Sequence, residues 1–119
     1  MPVAESITIF AFTPTQHIRM LHINGEPWFV AIDVFRAVGI EADVSTHLKR
    51  MLRPDERQLF DNRLIPSLSR GQRASFLYLI SESGLYKLMM RSDKPEARKF
   101  QGWATRVLLP ACGRTVPTS

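Results

Sequence analysis

The chain has 119 residues, of which 45% are hydrophobic and 23% charged, and it contains one cysteine, Cys112. This length suits one globular domain, and the hydrophobic fraction is too high for a disordered chain. No stretch approaches the roughly 20 consecutive apolar residues of a membrane-spanning helix. A single cysteine excludes an internal disulfide framework and a multi-cysteine zinc site. The first residues show no secretory signal, so we expect a cytoplasmic protein.

The charge of the chain is positive and unevenly distributed. Sixteen Lys and Arg residues against eleven Asp and Glu give a net charge of +5, and the pI is about 10.0. Residues 1–48 carry two basic and five acidic residues, whereas residues 49–119 carry fourteen basic and six acidic residues. A basic portion of this kind is typical of nucleic-acid binders, although charge that serves only solubility gives the same count.

The first third of the chain predicts an antiparallel β-meander. Residues 7–11 and 17–23 alternate along the strand period of two, and residues 28–30 are strong strand formers. Asn24 and Gly25 stand between two of these runs, and both residue types tolerate the positive φ of a type I′ hairpin turn. We therefore expect three strands in sequence.

Two short helices are predicted next. Asp33 is the expected cap of a helix that begins at Val34, and Gly39 is the expected left-handed residue that ends it. Ser45 is the expected cap of a second helix over about 45–51, which ends before Pro54.

A second hairpin and two further helices complete the prediction. Residues 64–68 and 75–80 are the expected hairpin strands, and residues 83–90 form a helix. A capping box at 93–96, with Pro95 in the first turn, opens the last helix, which Pro110 ends. Its apolar stripe is Ala97, Phe100, Ala104, Val107 and Leu108. Strands and helices in separate blocks predict an α+β fold with about four short helices packed as one domain.

The sequence contains no recognisable catalytic or metal-binding motif. No His or Cys pair has metal-ligand spacing, no glycine-rich phosphate loop is present, and no cofactor is expected. The segment from Ser81 to Gly84 lacks the first glycine of a nucleophile elbow, and a helix cap is its better interpretation. Aromatic residues at strand and helix spacing, Phe76 included, are expected in the core. We therefore predict a protein that is not an enzyme.

The basic residues form the candidate binding site. They cluster at and after the second helix, around the second hairpin and at the join of the last two helices, and guanidinium groups bind phosphate in a bidentate fork. Any single arginine is also explained as a solvated surface residue. The residues that we select are Lys49, Arg50, Arg53, Arg57, Arg70, Arg73, Lys87, Arg91, Arg98 and Lys99.

Three blocks of the sequence resemble the Bro-N domain, found at the N-terminus of baculovirus BRO proteins and in many prophage antirepressors. Residues 24–34, NGEPWFVAIDV, resemble the signature "dGepWFvakDV", and residues 80–88, ISESGLYKL, resemble "iSEsGLYkLi". Residues 91–110 resemble the third block, although Gly102 stands where the family usually has a larger residue. The resemblance predicts a Bro-N-like DNA-binding domain over residues 6–110. The residues that follow Pro110, 111–119, are expected to form a flexible C-terminal tail.

The resemblance implies binding of double-stranded DNA in phage or viral transcription control, without catalysis and near the nucleoid of a bacterial host. It does not identify base-reading residues, so the basic clusters remain the candidates. An alternative is a protein-interaction module that sequesters a repressor, because an arginine-rich face also suits an acidic partner. A homodimer is a further hypothesis, since sequence-reading domains of this size often pair on two half-sites.

Overall fold

The computed structural model describes residues 4–61, 63 and 76–111, with side chains from residue 7 onward. Five strands form one sheet in the order β1-β2-β3-β5-β4, and every neighbouring pair is antiparallel. The strands are β1 (Ala4–Thr13), β2 (Gln16–Ile23), β3 (Glu26–Val30), β4 (Arg57–Asp61) and β5 (Phe76–Ile80).

The predicted β-meander is confirmed. Strands β1, β2 and β3 follow one another in the sheet, and Ile23 pairs with Glu26 across the turn. Asn24 and Gly25 have φ values of 54° and 78°, the positive values that a type I′ turn requires. The Asn24-Gly25 turn and the alternation of apolar and polar residues therefore together determine the register of β2 with β3.

The second hairpin differs from the prediction. Strand β5 pairs with residues 57–61, and Asp61 lies opposite Phe76. The predicted partner, residues 64–68, lies outside the described residues. Strand β4 was missed because only Leu59 and Phe60 are apolar within it, which leaves no alternation to detect.

The described residues contain four helices, which with the sheet confirm the α+β class. Helices α1 and α2 follow the meander, and α3 and α4 follow β5. A π-helical turn, Ala104–Leu108, continues α4 into a last helical turn, Leu109–Ala111. The helices are α1 (Ala31–Val38), α2 (Val44–Met51), α3 (Glu82–Arg91) and α4 (Pro95–Trp103).

The helix ends agree with the prediction only in part. Gly39 ends α1 with a φ of 76°, and Ser81 caps α3 through the Gly84 amide, as expected. Helix α1 begins directly after β3, so Asp33 lies inside its first turn and does not cap it. The cap of α2 is Asp43 and not Ser45, because the Asp43 side chain accepts from the Thr46 amide at 2.9 Å.

Two further corrections concern the last helix. Its N-cap is Lys94, and no side chain caps it, so the predicted capping box is absent, although Pro95 does stand in the first turn. The π turn adds a residue to one turn and rotates the residues after it around the helix axis. Val107, expected on the buried stripe, is therefore 46% exposed, Leu109 is buried, and Pro110 lies within the helical segment.

Each face of the sheet contributes residues to a buried cluster. Helices α1, α3 and α4 pack on one face around Ile18, Phe29, Ile80 and Phe100. Leu21, Val30, Phe60 and Leu79 belong to a second buried cluster, which includes neighbouring residues of β2–β5. Phe76, expected in the core, is 47% exposed. No helix in the described part of the chain is long and apolar enough to span a membrane.

Candidate nucleic-acid interface

A cleft of about 420 Å³ lies between the last turns of α2 and α3. On α2, His47 and Arg50 are three residues apart and share a helix face, as do Leu88 and Arg91 on α3. The two helices therefore contribute one guanidinium each to the same cleft. The lining residues are Ile40, His47, Arg50, Met51, Leu88, Arg91 and Ser92.

Arg50 and Arg91 lie at the cleft because other faces of α2 and α3 are buried in the core. Leu48 of α2 and Leu85 of α3 are fully buried in the core that the helices share with the sheet. Arg50 and Arg91 lie on the exposed side and close to the helix C-termini, where the helix dipole favours a cation. The sequences of α2 and α3 thus determine where the two arginines lie and the positive charge that they bring to the cleft.

Neither cleft arginine has an acidic partner in the described part of the chain. The ion pairs found there join four other basic residues to carboxylates: Arg19 to Asp33, Arg53 to Asp55, Arg63 to Asp61 and Lys87 to Glu56. No described carboxylate therefore pairs with Arg50 or Arg91. His47, on the same wall, packs edge-on against Phe35 with ring centroids 5.3 Å apart.

Lys87, another selected residue, is engaged by the fold. Its Nζ donates to Glu56 Oε1 at 2.6 Å, and the same oxygen accepts from the Arg53 amide at 2.9 Å. Glu56 is buried, and this burial is the largest influence on its pKa and raises it. The hydrogen bonds from Lys87, the Arg53 amide and Ser83 outweigh burial and hold the pKa of Glu56 below its ordinary value.

The other selected residues are spread over several elements. Lys49 is exposed on α2, and the exposed Arg53 guanidinium lies 3.6 Å from Asp55, a separation at which a surface pair contributes little. Arg57 begins β4, and its buried Nε has no hydrogen-bond partner in the described part. Arg98 and Lys99 are exposed on α4. Arg70 and Arg73 lie outside the described residues.

Two polar residues of the cleft, His47 and Ser92, were not among the selected residues. The signal for His47 was its spacing of three from Arg50 on a predicted helix. Lys94 was also left out, and its Nζ donates to the Gly39 carbonyl, which ties the start of α4 to the end of α1 beside Ile40. Among the described residues, no group of three His, Cys, Asp or Glu side chains could hold a metal ion.

The fold and the cleft define a small α+β domain with a cleft between two helices that is lined by two arginines. The chain belongs to the Bro-N family, because its residues 17–110 match the N-terminal domain of the BRO family.

Two relatives of the chain come from a bacterium and from a virus. An uncharacterised protein of Haemophilus influenzae is 32% identical over 97 residues, which are 81% of this chain and 44% of that protein. The Bro-N domain-containing protein 289L of Invertebrate iridescent virus 6 is 29% identical over 119 residues, 90% of this chain and 28% of that protein. The chain thus spans less than half the length of either relative. No solved structure matches it.

Proposed function

We propose that this domain binds double-stranded DNA as part of an antirepressor-like transcription regulator. Membership of the Bro-N family supports this proposal. The observation that carries it is the meeting of Arg50 and Arg91, from two helices, in one cleft without a described acidic partner. Two guanidiniums held at one site fit adjacent phosphate oxygens of a nucleic-acid backbone.

Affinity in this proposal comes from counterion release. Each phosphate that an arginine neutralises frees condensed cations from the duplex, so binding weakens as salt rises. Lys49 and Arg53 lie on or next to α2 and extend the positive surface from the cleft. The remaining proposed contacts are Arg57, Lys87, Arg98 and Lys99, which lie on other elements, and Arg70 and Arg73, which lie outside the described residues. Lys87 is the weakest of them, because Glu56 already neutralises it.

A salt titration of duplex binding tests the proposal. For the wild-type protein, the plot of log binding constant against log salt has a slope near −0.9 for each phosphate neutralised. Arg50→Gln and Arg91→Gln each remove one contact, so each slope becomes shallower by about 0.9. Arg106→Gln is the matched control, because Arg106 is an exposed arginine outside the cleft.

Two outcomes of this titration contradict the proposal. The first is the absence of duplex binding at low salt. The second is an equal loss of slope in Arg106→Gln and in the two cleft variants, since binding would then follow net charge and not the cleft.

A second candidate function is the capture of a repressor protein. The observation that favours it is the accessible apolar part of the cleft, Ile40 and Met51, which a DNA phosphate would leave unused. An acidic segment with apolar side chains would contact both parts of the cleft. Co-purification of a repressor that Arg50→Gln abolishes, in a protein that shifts no DNA, would establish this function instead.

A further inference from the structure

Strand β1 leaves one edge of the sheet open. It runs from Ala4 to Thr13, pairs with β2 on its inner side, and has no other described strand on its outer side. Its register with β2 is regular from Ser6 to Ala11, and the irregularities fall only at the two ends. Six consecutive residues of β1 therefore present straight strand backbone outward.

The composition of residues 6–13 of β1 does not protect this edge; the charged residue of the strand, Glu5, lies before them. Proteins commonly guard an edge strand with charged residues, proline, a bulge or a short length. Residues 6–13, SITIFAFT, contain no charge and no proline, and Ile9 in their middle is 57% exposed. At the opposite edge of the sheet, β4 has five residues and carries Arg57 and Asp61 at its two ends.

Contacts with both buried clusters hold β1 in place, and no described strand pairs with its outer edge. On the helical face, the Phe12 ring lies 5.4 Å from the Phe100 ring and 5.1 Å from that of Trp103. On the other face, Ile7 packs against the second buried cluster. An incoming strand would therefore meet a preordered template, which lowers the entropic cost of pairing.

We propose that β1 pairs antiparallel with β1 of a second copy of this chain, about a two-fold axis at Ile9. Such pairing sets Ile9 against Ile9 of the other copy, Ile7 against Ala11, and Thr8 against Phe10. A two-fold interface uses the same surface twice, so an uncharged and apolar strand is complementary to itself. Residues 6–13 carry no charge with which to bind an acidic or basic partner, which favours a second copy of the same uncharged stretch as the occupant.

The resulting dimer has one continuous sheet and limited strength. Main-chain hydrogen bonds supply the affinity in strand addition. One strand edge buries less surface than the roughly 1,200 Å² at the lower limit of stable interfaces, so we expect micromolar dissociation. This inference does not depend on DNA binding and is tested without DNA.

Analytical ultracentrifugation of the full chain, from about 1 μM to about 1 mM, measures the equilibrium. We expect the wild type to pass from monomer to dimer, and Ile9→Lys to raise the dissociation constant at least about tenfold, because two lysines would face each other at the axis. Leu59→Lys is the matched control on β4, since Leu59 is 54% exposed, and it should dimerise like the wild type.

A crosslinking measurement covers the case in which a charge at position 9 perturbs the fold. In a Cys112→Ser background, mild oxidation should link Ile9→Cys into a covalent dimer and leave Leu59→Cys monomeric. A wild type that stays monomeric at the highest concentration overturns the proposal. So does crosslinking of Leu59→Cys to the same extent as Ile9→Cys.

Discussion

Arg19 on β2 donates three hydrogen bonds to Asp33 on α1. The Arg19 amide and Nε lie 3.0 and 2.8 Å from Asp33 Oδ2, and Nη2 lies 3.0 Å from Oδ1. Both side chains are largely removed from water. The pair joins the central part of the sheet to the first helix, fourteen residues further along the chain.

Asp33→Ala should destabilise the domain strongly. The change leaves the Arg19 guanidinium buried without its partner, and breaking a buried pair in this way costs about 3–5 kcal/mol. Urea denaturation should show this loss in the free energy of unfolding. Asp55→Ala is the control, because its pair with Arg53 is exposed and the change should stay within about 0.5 kcal/mol. Equal losses in the two variants would contradict the assignment.

Asp33 also shows where the sequence stops being informative. A carboxylate before an apolar helical run predicts a cap, and the local sequence contains no sign of Arg19 as its partner. Asn24-Gly25 and the strand alternation, by contrast, predicted the meander because turn geometry and side-chain period are local properties. The π turn escaped prediction because the periodic stripe assumes 3.6 residues in every turn.

The sequence predicted the candidate site only as a set of clustered basic residues, without showing which of them pair with carboxylates. Arg50, Arg53, Lys87 and Arg91 all belong to basic clusters in the sequence. Which of them is neutralised depends on Glu56, which lies 31 residues from Lys87 and meets it only in the fold. Long-range pairing therefore decided which charges stay available at the cleft.

Gly84→Ala should destabilise the domain even though alanine favours helices. A Cβ at position 84 would lie 3.0 Å from the Glu56 carbonyl oxygen and 3.0 Å from a Leu52 methyl carbon, and a backbone atom cannot move away easily. Gly102→Ala is the matched control within a helix, since its Cβ would meet only the Arg106 side chain at 3.7 Å. That control should gain up to about 1 kcal/mol. Thermal unfolding measures the stability of both variants, and a Gly84→Ala protein more stable than the wild type would contradict the prediction.

Glu56 should contribute a pH dependence to stability. Its pKa is lower in the folded chain than its ordinary value of about 4.5, so its ionised form stabilises the fold. That contribution is complete above pH 4.5 and is lost as the pH falls through the lower, folded-state pKa. The free energy of unfolding of the wild type should therefore fall more steeply below pH 4.5 than that of Glu56→Gln.

The difference between the stability curves of the wild type and Glu56→Gln separates the contribution of Glu56 from that of other carboxylates. The hydrogen bonds of Arg63 lower the pKa of Asp61, and the Thr46 amide and hydroxyl lower the pKa of Asp43. Both groups add acid sensitivity to the wild type and to Glu56→Gln alike, so they cancel in the difference. Parallel stability curves for the two proteins below pH 4.5 would contradict the role of Glu56.

Lys87 and Arg91, one helical turn apart on α3, should separate stability from binding. Lys87→Met leaves Glu56 buried without its ion-pair partner and should lower the free energy of unfolding by about 1–2 kcal/mol, less than for a fully buried pair because Lys87 is 42% exposed. Arg91→Gln removes an exposed side chain without a described acidic partner and should leave stability within about 0.5 kcal/mol.

Under the proposed function, Arg91→Gln should affect DNA binding more than Lys87→Met does. Arg91→Gln should make the salt slope of duplex binding shallower by about 0.9. Folded Lys87→Met should change the slope much less, because Glu56 already neutralises this lysine and makes it the weakest of the proposed contacts. Chemical denaturation and a salt titration on the same two samples measure both quantities. If Lys87→Met lost as much slope as Arg91→Gln at a temperature where both are folded, Lys87 would exchange Glu56 for a phosphate. The bound surface would then extend from the cleft along α3 toward the start of β4.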